Sequence, residues 1–139
     1  MKSKIITWVA LIAVAVVSTA SVSQMKKIKY SVKKMDSTWF VVDERNRPLP
    51  IEANRKDDIE WSAEGSDLLF QFPDKLSVFF TKEDGSTVGD SYYIEVKDGK
   101  KLKLKVKQDA PVGRFVYSIL VKKDGTYAEG SSPPVIIIR

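Results

Sequence analysis

Residues 110–139, APVGRFVYSILVKKDGTYAEGSSPPVIIIR, contain the pattern that decides the predicted fold. Phe115, Tyr117, Ile119 and Val121 fall at every second position, which is the period of a β-strand with one face on a core. The intervening positions are also partly apolar, as expected for an interior strand. This part of the chain therefore predicts a strand in the middle of a sheet.

A turn and a second strand complete this region. The Asp-Gly pair at residues 124–125 predicts a reversal of the chain, because these residues tolerate the backbone of a tight turn. Pro133 and Pro134 then lead into Val135–Ile138, a β-branched run that favours a strand. The sequence is thus expected to end in two strands.

Shorter alternating runs predict further strands upstream. They cover residues 38–42 as the first strand, then 58–63, 68–72, 76–81, 92–96 and 101–107. In residues 58–63, Ile59, Trp61 and Ala63 are expected to face the core, whereas Asp58 and Glu60 are expected to face solvent.

The Asp98-Gly99 pair lies between the last two of these runs and predicts a β-hairpin. The second strand of that hairpin carries a row of lysines on one face: Lys101, Lys103, Lys105 and Lys107. Such a row could dock an anionic partner. Our preferred interpretation is a solvated face that keeps a sheet edge from pairing with other chains.

The length and composition of the chain limit the classes of protein to which it can belong. The chain has 139 residues, 43% of them hydrophobic, which suits one core and is too short for two ordinary domains. It contains no cysteine and no histidine. These absences exclude disulfides, thiolate nucleophiles, histidine-based acid–base catalysis and most familiar zinc, copper and haem sites.

Charge is unevenly distributed along the sequence. Seven of the 23 basic residues precede residue 36, whereas all 18 acidic residues lie at or after it. The chain from residue 36 onward therefore carries 16 basic and 18 acidic residues, a net charge of −2. A nucleic-acid-binding domain is expected to carry a positive field on its folded part, so we predict no nucleic-acid partner.

The N-terminus contains a membrane-engaging segment. Residues 5–22, IITWVALIAVAVVSTASV, are almost wholly apolar and follow Lys2 and Lys4. Residues 1–23 are therefore predicted to form a hydrophobic helix that is either a signal peptide or a retained membrane anchor. Five lysines follow the segment, which on the positive-inside bias alone would keep the C-terminal side in the cytoplasm.

Residues 24–36 are interpreted as a basic linker, and residues 37–139 as the folded domain. The linker lysines would either be solvated or rest on anionic lipid head groups, so that residues 5–22 and these lysines together could associate with a membrane.

The order of strand patterns in residues 50–138 resembles the cupredoxin family, the fold of plastocyanin-like blue-copper proteins. Residues 57–61, DDIEW, resemble the family's Gly-Asp-x-hydrophobic-x-aromatic strand, with Asp57 in place of the usual glycine. Residues 111–117, PVGRFVY, resemble its Pro-Gly-x-Tyr-x-Tyr/Phe strand. The resemblance implies an all-β, Greek-key antiparallel β-sandwich and, by analogy with the family, a location outside the cytoplasm, periplasmic or secreted.

The same resemblance locates the positions where copper ligands would lie. Such a site uses two histidines, a cysteine and commonly a weak axial methionine. Counting from Gly113, the cysteine position falls near Ile119 and the next histidine near Lys122, with the upstream histidine in residues 66–69 and the methionine in residues 131–134. None of these residues is a copper ligand. We therefore expect no metal, no cofactor and no electron transfer.

Other chemical sites were weighed and assigned to ordinary structure. Five carboxylates that cluster in sequence are interpreted as a solvent face rather than a hydrolase site: Asp57, Asp58, Glu60, Glu64 and Asp67. Asp84, Ser86 and Asp90 could offer oxygens to calcium, but a turn accounts for them better. No nucleophile-elbow pattern is present for a Ser-Lys mechanism. We assign no catalytic residue and predict that the chain is not an enzyme.

Adjacent aromatic residues offer a contact surface. Strand alternation sends one member of each pair outward in Trp39-Phe40, Phe79-Phe80 and Tyr92-Tyr93. The predicted function is a non-catalytic extracytoplasmic module acting in protein interaction or as a structural accessory subunit, with another extracytoplasmic or membrane protein as partner. The alternatives are a carbohydrate- or peptide-binding immunoglobulin-like module, a hydrolase using surface carboxylates, and a surviving copper role.

Overall fold

The computed structural model describes residues 25–130 and 132–139. The hydrophobic segment at residues 5–22, and with it the predicted signal peptide or anchor, lies outside these residues. Within the described ranges, no helix is long and apolar enough to cross a membrane.

The described chain is built almost entirely from strands. The elements are β1 (Lys27–Met35), β2 (Thr38–Val42), β3 (Ile51–Ala53), β4 (Asp58–Ala63), β5 (Leu68–Gln71), α1 (Leu76–Phe79), β6 (Phe80–Thr81), β7 (Tyr93–Val96), β8 (Lys101–Val106), β9 (Gly113–Val116), β10 (Ser118–Val121), β11 (Thr126–Tyr127) and β12 (Val135–Ile138).

These strands form a β-sandwich, which confirms the predicted all-β fold. The large sheet has the order β2-β1-β4-β8-β6, and the two small sheets have the orders β11-β10-β5-β7 and β3-β12-β9. Most pairings are antiparallel as predicted, whereas β1 with β4 and β3 with β12 are parallel. Buried residues from all three sheets belong to one hydrophobic cluster.

Trp61 of β4 lies at the centre of this cluster and is fully buried. Its ring makes edge-on contacts with Phe70 and Tyr117, at centroid distances of 5.4 and 5.9 Å. Its Nε1–H donates a hydrogen bond of 3.1 Å to the hydroxyl of Tyr117. Ile59 and Ala63 are also buried, so the predicted inward face of this strand is confirmed.

The predicted basic linker at residues 24–36 is wrong for most of its length, because residues 27–35 form β1. This strand pairs with β2 on one side and β4 on the other, so the predicted first strand at residues 38–42 is the second. Tyr30 and Val32 are buried, and Ile28 packs against the core. The apolar residues alternate with lysines, and the lysines concealed a strand pattern of period two.

The predicted hairpin between β7 and β8 is also wrong, because the two strands belong to different sheets. The turn between them is held by the end of β4 instead. Gly99 donates its N–H to the carbonyl of Ala63 at 2.9 Å, and Asp98 accepts the N–H of Gly65 at 2.8 Å. The Asp-Gly pair specifies a local turn, but the partner of each strand depends on these long-range contacts.

Two predicted strands are divided in the structure. In residues 76–81, α1 comes first and only β6 is extended, because Leu76 and Phe79 bury one side of a single helical turn. In residues 113–121 the strand is split at Tyr117, whose N–H donates to the carbonyl of Pro134 at 3.1 Å. Thus β9 pairs with β12, whereas β10 pairs with β5 and β11.

Replacing Tyr117 by phenylalanine tests the hydrogen bond at the centre of the core. The Tyr117→Phe variant should lose about 1–3 kcal/mol of unfolding free energy, because Trp61 Nε1–H would stay buried without an acceptor. Urea unfolding followed by tryptophan fluorescence measures this loss. The matched control is Tyr92→Phe at an exposed position, which should stay within about 0.5 kcal/mol of the wild type. Equal stability of both variants would contradict the assigned role of Tyr117.

Candidate functional site

One end of the sandwich brings together the two segments where the cupredoxin resemblance places copper ligands. Lys122 donates its backbone N–H to the carbonyl of Asp67 at 3.0 Å, and Lys123 donates its N–H to Ser66 Oγ at 3.0 Å. Ile119 is fully buried and pairs with Phe70 across β10 and β5. The positions proposed for the cysteine and both histidines are therefore neighbours in space.

An ion-pair network occupies the surface at this end. Lys97 pairs with both Asp67 and Glu95, at 3.5 and 3.4 Å, and Lys122 pairs with Glu95. The backbone N–H of Asp98 donates to Asp67 at 2.8 Å. This hydrogen bond, aided by the charge of Lys97, holds the pKa of Asp67 below its ordinary value. The network joins the ends of three strands and leaves these carboxylates ionised at neutral pH.

The donors at this end do not fit a blue-copper ion. Ile119 offers a hydrocarbon side chain where a thiolate is required, and Lys122 offers an ammonium group that is paired with Glu95. Ser66 Oγ already donates to the carbonyl of Asp67 and accepts the N–H of Lys123. Across the described residues, no three acidic, cysteine or histidine side chains are grouped so as to hold a metal. Residue 131, in the proposed methionine segment, lies outside the description.

Metal loading tests this conclusion. After incubation with Cu(II) and gel filtration, the full chain should show neither the intense absorption of a copper–thiolate bond nor stoichiometric copper by elemental analysis, because thiolate and imidazole are both absent. A blue protein carrying one copper per chain would contradict it.

The clustered carboxylates do not form one catalytic group. Asp57 is buried, and its oxygens accept the N–H groups of Lys26 and Asn54 at 2.9 and 2.8 Å, so it fastens the loop before β4. Asp58 forms an ion pair of 3.0 Å with Lys105. Asp57 and Asp58 are therefore engaged in local structural contacts, and the expectation that Asp57 lies on a solvent face is wrong.

Glu60 was predicted to face solvent, and this is wrong. It lies on the outer side of β4, but its side chain is only 5% exposed because Lys27 and Lys101 cover it with ion pairs of 3.5 Å each. Burial alone would raise the pKa of Glu60, but Lys101 and Lys27 outweigh burial and hold the pKa below its ordinary value. Alternation along the sequence predicts on which side of the sheet Glu60 lies, but it does not show that Lys27 and Lys101 cover this side chain.

The Glu60→Gln variant tests this carboxylate. A pKa that is lower in the folded state stabilises the fold above the unfolded value of about 4.3, and this contribution is lost as the pH falls through the folded-state pKa. At neutral pH the variant should be about 1 kcal/mol less stable than the wild type, a value kept small because both lysines are partly solvated. Urea unfolding at several pH values should show this difference shrinking in acid.

The exposed Glu83→Gln is the matched control for that experiment, since it removes the same charge from a turn. A difference between Glu60→Gln and wild type that did not change with pH would rule out the proposed ionic origin.

The calcium candidates are separated by their hydrogen bonds. Asp84 accepts both the N–H and the hydroxyl of Ser86, at 2.9 and 2.6 Å, in the manner of a local turn. Asp90 instead accepts the hydroxyl of Ser77 at 2.8 Å. The interpretation of residues 84–86 as a turn agrees with the structure.

The aromatic pairs behave differently from the predicted one-in, one-out pattern. Phe79 and Phe80 are both buried, because the single turn of α1 breaks the strand alternation there. Tyr92 and Tyr93 are both exposed, at 49% and 59%. Trp39 is buried, and its Nε1–H donates to Asp124 at 2.6 Å. Only the Trp39-Phe40 pair follows the expectation, with Phe40 half-buried.

Sequence analysis missed an apolar surface on the outer side of the small sheets. Here termed the apolar face, it consists of Leu69, Tyr93, Val116, Leu120 and Tyr127. Strand register places Leu120 between Leu69 and Tyr127. Tyr93, Val116 and Tyr127 are exposed by 59%, 50% and 56% of their surfaces. The apolar residues at outward positions 116 and 120 could have indicated an exposed apolar surface. The other residues of that surface lie on neighbouring strands, which the sequence alone does not identify.

No protein-family model matches the chain. No curated protein matches it by sequence. Among solved structures, it is similar to a variant of amicyanin in its reduced Cu(I) form, with a TM-score of 0.43 and 10% identity over 86% of this chain and 88% of the other.

The chain is also similar to parts of two multicopper oxidases. The blue copper oxidase from Nitrosomonas europaea matches with a TM-score of 0.43 and 13% identity, over 82% of this chain and 44% of the oxidase. Fet3p, a multicopper oxidase that functions in iron import, matches with a TM-score of 0.44 and 12% identity, over 84% of this chain and 23% of the oxidase. The chain spans less than half the length of these two oxidases. The β-sandwich assignment rests on the strands and core described above.

Proposed function

We propose that this chain is a non-catalytic, copper-free, cupredoxin-like module outside the cytoplasm that binds another protein through the apolar face. The observation that carries the proposal is the exposure of Tyr93, Val116 and Tyr127 on one side of the sandwich. Exposed apolar groups that are contiguous, rather than scattered, mark interaction surfaces in soluble domains.

The composition of the apolar face suits a protein partner. Tyrosine is enriched where protein interfaces carry most of their binding energy, because it buries a large ring and keeps a polar tip. Gln71 and Ser118 lie between the apolar residues and hydrogen-bond to each other at 2.9 Å. The ion pair of Glu95 with Lys122 borders the same surface, in the manner of a polar rim.

Strand β7 gives this surface a second means of recognition. It pairs with β5 on one side and is terminal in its sheet, and it carries Tyr93. A terminal strand offers backbone N–H and C=O groups to which an extended segment of a partner can add. Side-chain contacts on the apolar face and backbone contacts along β7 would then act together.

The extracytoplasmic location is supported by the sequence of residues 1–23. A basic start, an apolar middle and small residues near the end suit export by a signal peptide or anchor. Fusion of a reporter enzyme that is active only outside the cytoplasm, placed after Arg139, should give an active product. Activity only from a cytoplasmic reporter would overturn the location.

Site-specific photocrosslinking in living cells tests the interaction. A photoreactive amino acid at Val116 or Tyr127 should give a discrete adduct with one protein, because these side chains are exposed on the apolar face. The same probe at Glu83, an exposed turn residue, is the control. Mass spectrometry identifies the partner, and its affinity for the purified full chain is then measured.

Val116→Ser combined with Tyr127→Ser should weaken that affinity about thirtyfold, the effect of losing about 2 kcal/mol at an interface centre. Stability should change by less than about 0.5 kcal/mol per site, because both side chains are exposed. Equal adducts at all probe positions would contradict the proposal. Glycan binding that disappears when Tyr93 is replaced would instead favour the carbohydrate-binding alternative.

A further inference from the structure

The outer side of the large sheet carries a layer of lysines that neither the core nor the apolar face uses. This basic face consists of Lys27, Lys29 and Lys33 of β1 with Lys101, Lys103 and Lys105 of β8. The register of both strands against β4 places Lys29 and Lys103 on either side of Glu60, and Lys27 and Lys105 on either side of Asp58. Two sequence segments about 70 residues apart therefore build one surface.

The most exposed charges on this face are ammonium groups. On β1, β4 and β8 this side carries six lysines and two carboxylates, a formal net charge of +4 for these strands. Asp43 and Glu44 lie beside Lys27 and Lys29, and Glu83 and Asp84 lie beside Lys101 and Lys103. The Glu60 side chain is 5% exposed, whereas its partners Lys27 and Lys101 are 46% and 54% exposed. Lys29 and Lys103 are exposed and form no ion pair with a described residue. Glu60 thus lies beneath its lysines, whereas Asp58 and Lys105 are similarly exposed, at 26% and 20%.

Protection of a sheet edge is one role that these lysines can have. Edge strands often carry lysine to prevent pairing with other chains. In β8, only Lys105 and Val106 pair with β6, and in β1 only residues 31–35 pair with β2, so residues 101–104 and 27–30 have a strand partner on one side alone. Edge protection therefore stays a prediction for these residues, and it does not exclude a binding role for the two lysine rows together.

We propose that the basic face docks on an anionic lipid bilayer. An extended sheet surface with flexible lysines suits a charged plane, because each ammonium group can reach a separate head group. The position of β1 in the sequence favours a membrane over an acidic protein. It begins at Lys27, and the apolar segment ends at residue 22.

The four intervening residues span at most about 14 Å. When residues 5–22 are in a membrane, that distance holds the start of the basic face within about two Debye lengths of the lipid surface. The apolar face lies on the other side of the sandwich, so lipid and a protein partner could be bound together. This inference does not depend on the proposed protein partner.

Fluorescence energy transfer from the protein to the membrane tests the docking. The chain has no cysteine, so Ser62→Cys on the basic face or Tyr127→Cys on the apolar face each carries a single donor label. The full chain is reconstituted into vesicles of phosphatidylcholine, with or without phosphatidylglycerol, that contain an acceptor lipid. Transfer from residue 62 should rise several-fold with phosphatidylglycerol and fall at high salt, whereas transfer from residue 127 should not rise.

Charge-reversal variants distinguish an effect of the basic face from an effect of the protein's net charge. Lys29→Glu with Lys103→Glu should abolish the rise, and Lys29→Gln with Lys103→Gln should reduce it several-fold. The matched control, Lys75→Glu with Lys123→Glu, changes the same charge at exposed positions elsewhere and should retain the rise. Equal transfer with and without phosphatidylglycerol, or equal loss in the control, would overturn the proposal. Saturable binding of polyglutamate without any lipid effect would assign the face to an acidic protein and likewise overturn it.

Discussion

The buried hydrogen bond from Trp61 to Tyr117 is the constraint on which the rest of this structure depends. Both side chains are almost completely buried, and an indole N–H without an acceptor is costly in such a core. Trp61 lies in the middle of the large sheet, whereas Tyr117 lies where the chain passes from one small sheet to the other. Burial also raises the pKa of Tyr117, so its hydroxyl stays neutral and available as the acceptor. This contact therefore joins the large sheet to the point where the two small sheets meet.

In the part of the chain that the structure describes, no group of three acidic, cysteine or histidine side chains is placed to hold a metal. The end that would carry copper ligands in a cupredoxin is closed by Ile119 and by hydrogen bonds between residues 66–67 and 122–123. What distinguishes the molecule is on its two outer sides. One is apolar and rich in tyrosine, and the other is basic, with Glu60 beneath its lysines. The proposed functions follow from these two surfaces.

Local sequence patterns correctly predicted the strands that have a clear alternation of apolar and polar residues or a β-branched run. The alternation of Ile59, Trp61 and Ala63 predicted β4 correctly, and the β-branched run at the C-terminus predicted β12. β1 was missed because lysines occupy the positions between its buried residues. The period of two was present there, but the high charge made the segment resemble a linker.

Features that depend on strand partners could not be predicted from local patterns. The Asp98-Gly99 turn has the sequence of a hairpin, yet contacts with residues 63–65 send β7 and β8 to different sheets. Both outer surfaces also depend on long-range strand pairing. The neighbouring positions of Leu120 and Leu69, and of Lys29 and Glu60, follow from the sheet order and not from the local sequence. By contrast, the ligand positions taken from the family resemblance, in residues 66–69 and 119–122, are neighbours in the structure.

The most direct test of this account is the NMR behaviour of the Trp61 indole N–H. The account predicts slow hydrogen exchange of this proton and nuclear Overhauser effects from it to the ring of Tyr117, because the pair is buried between the sheets. Rapid exchange together with no contact to Tyr117 would contradict the packing on which both outer surfaces depend.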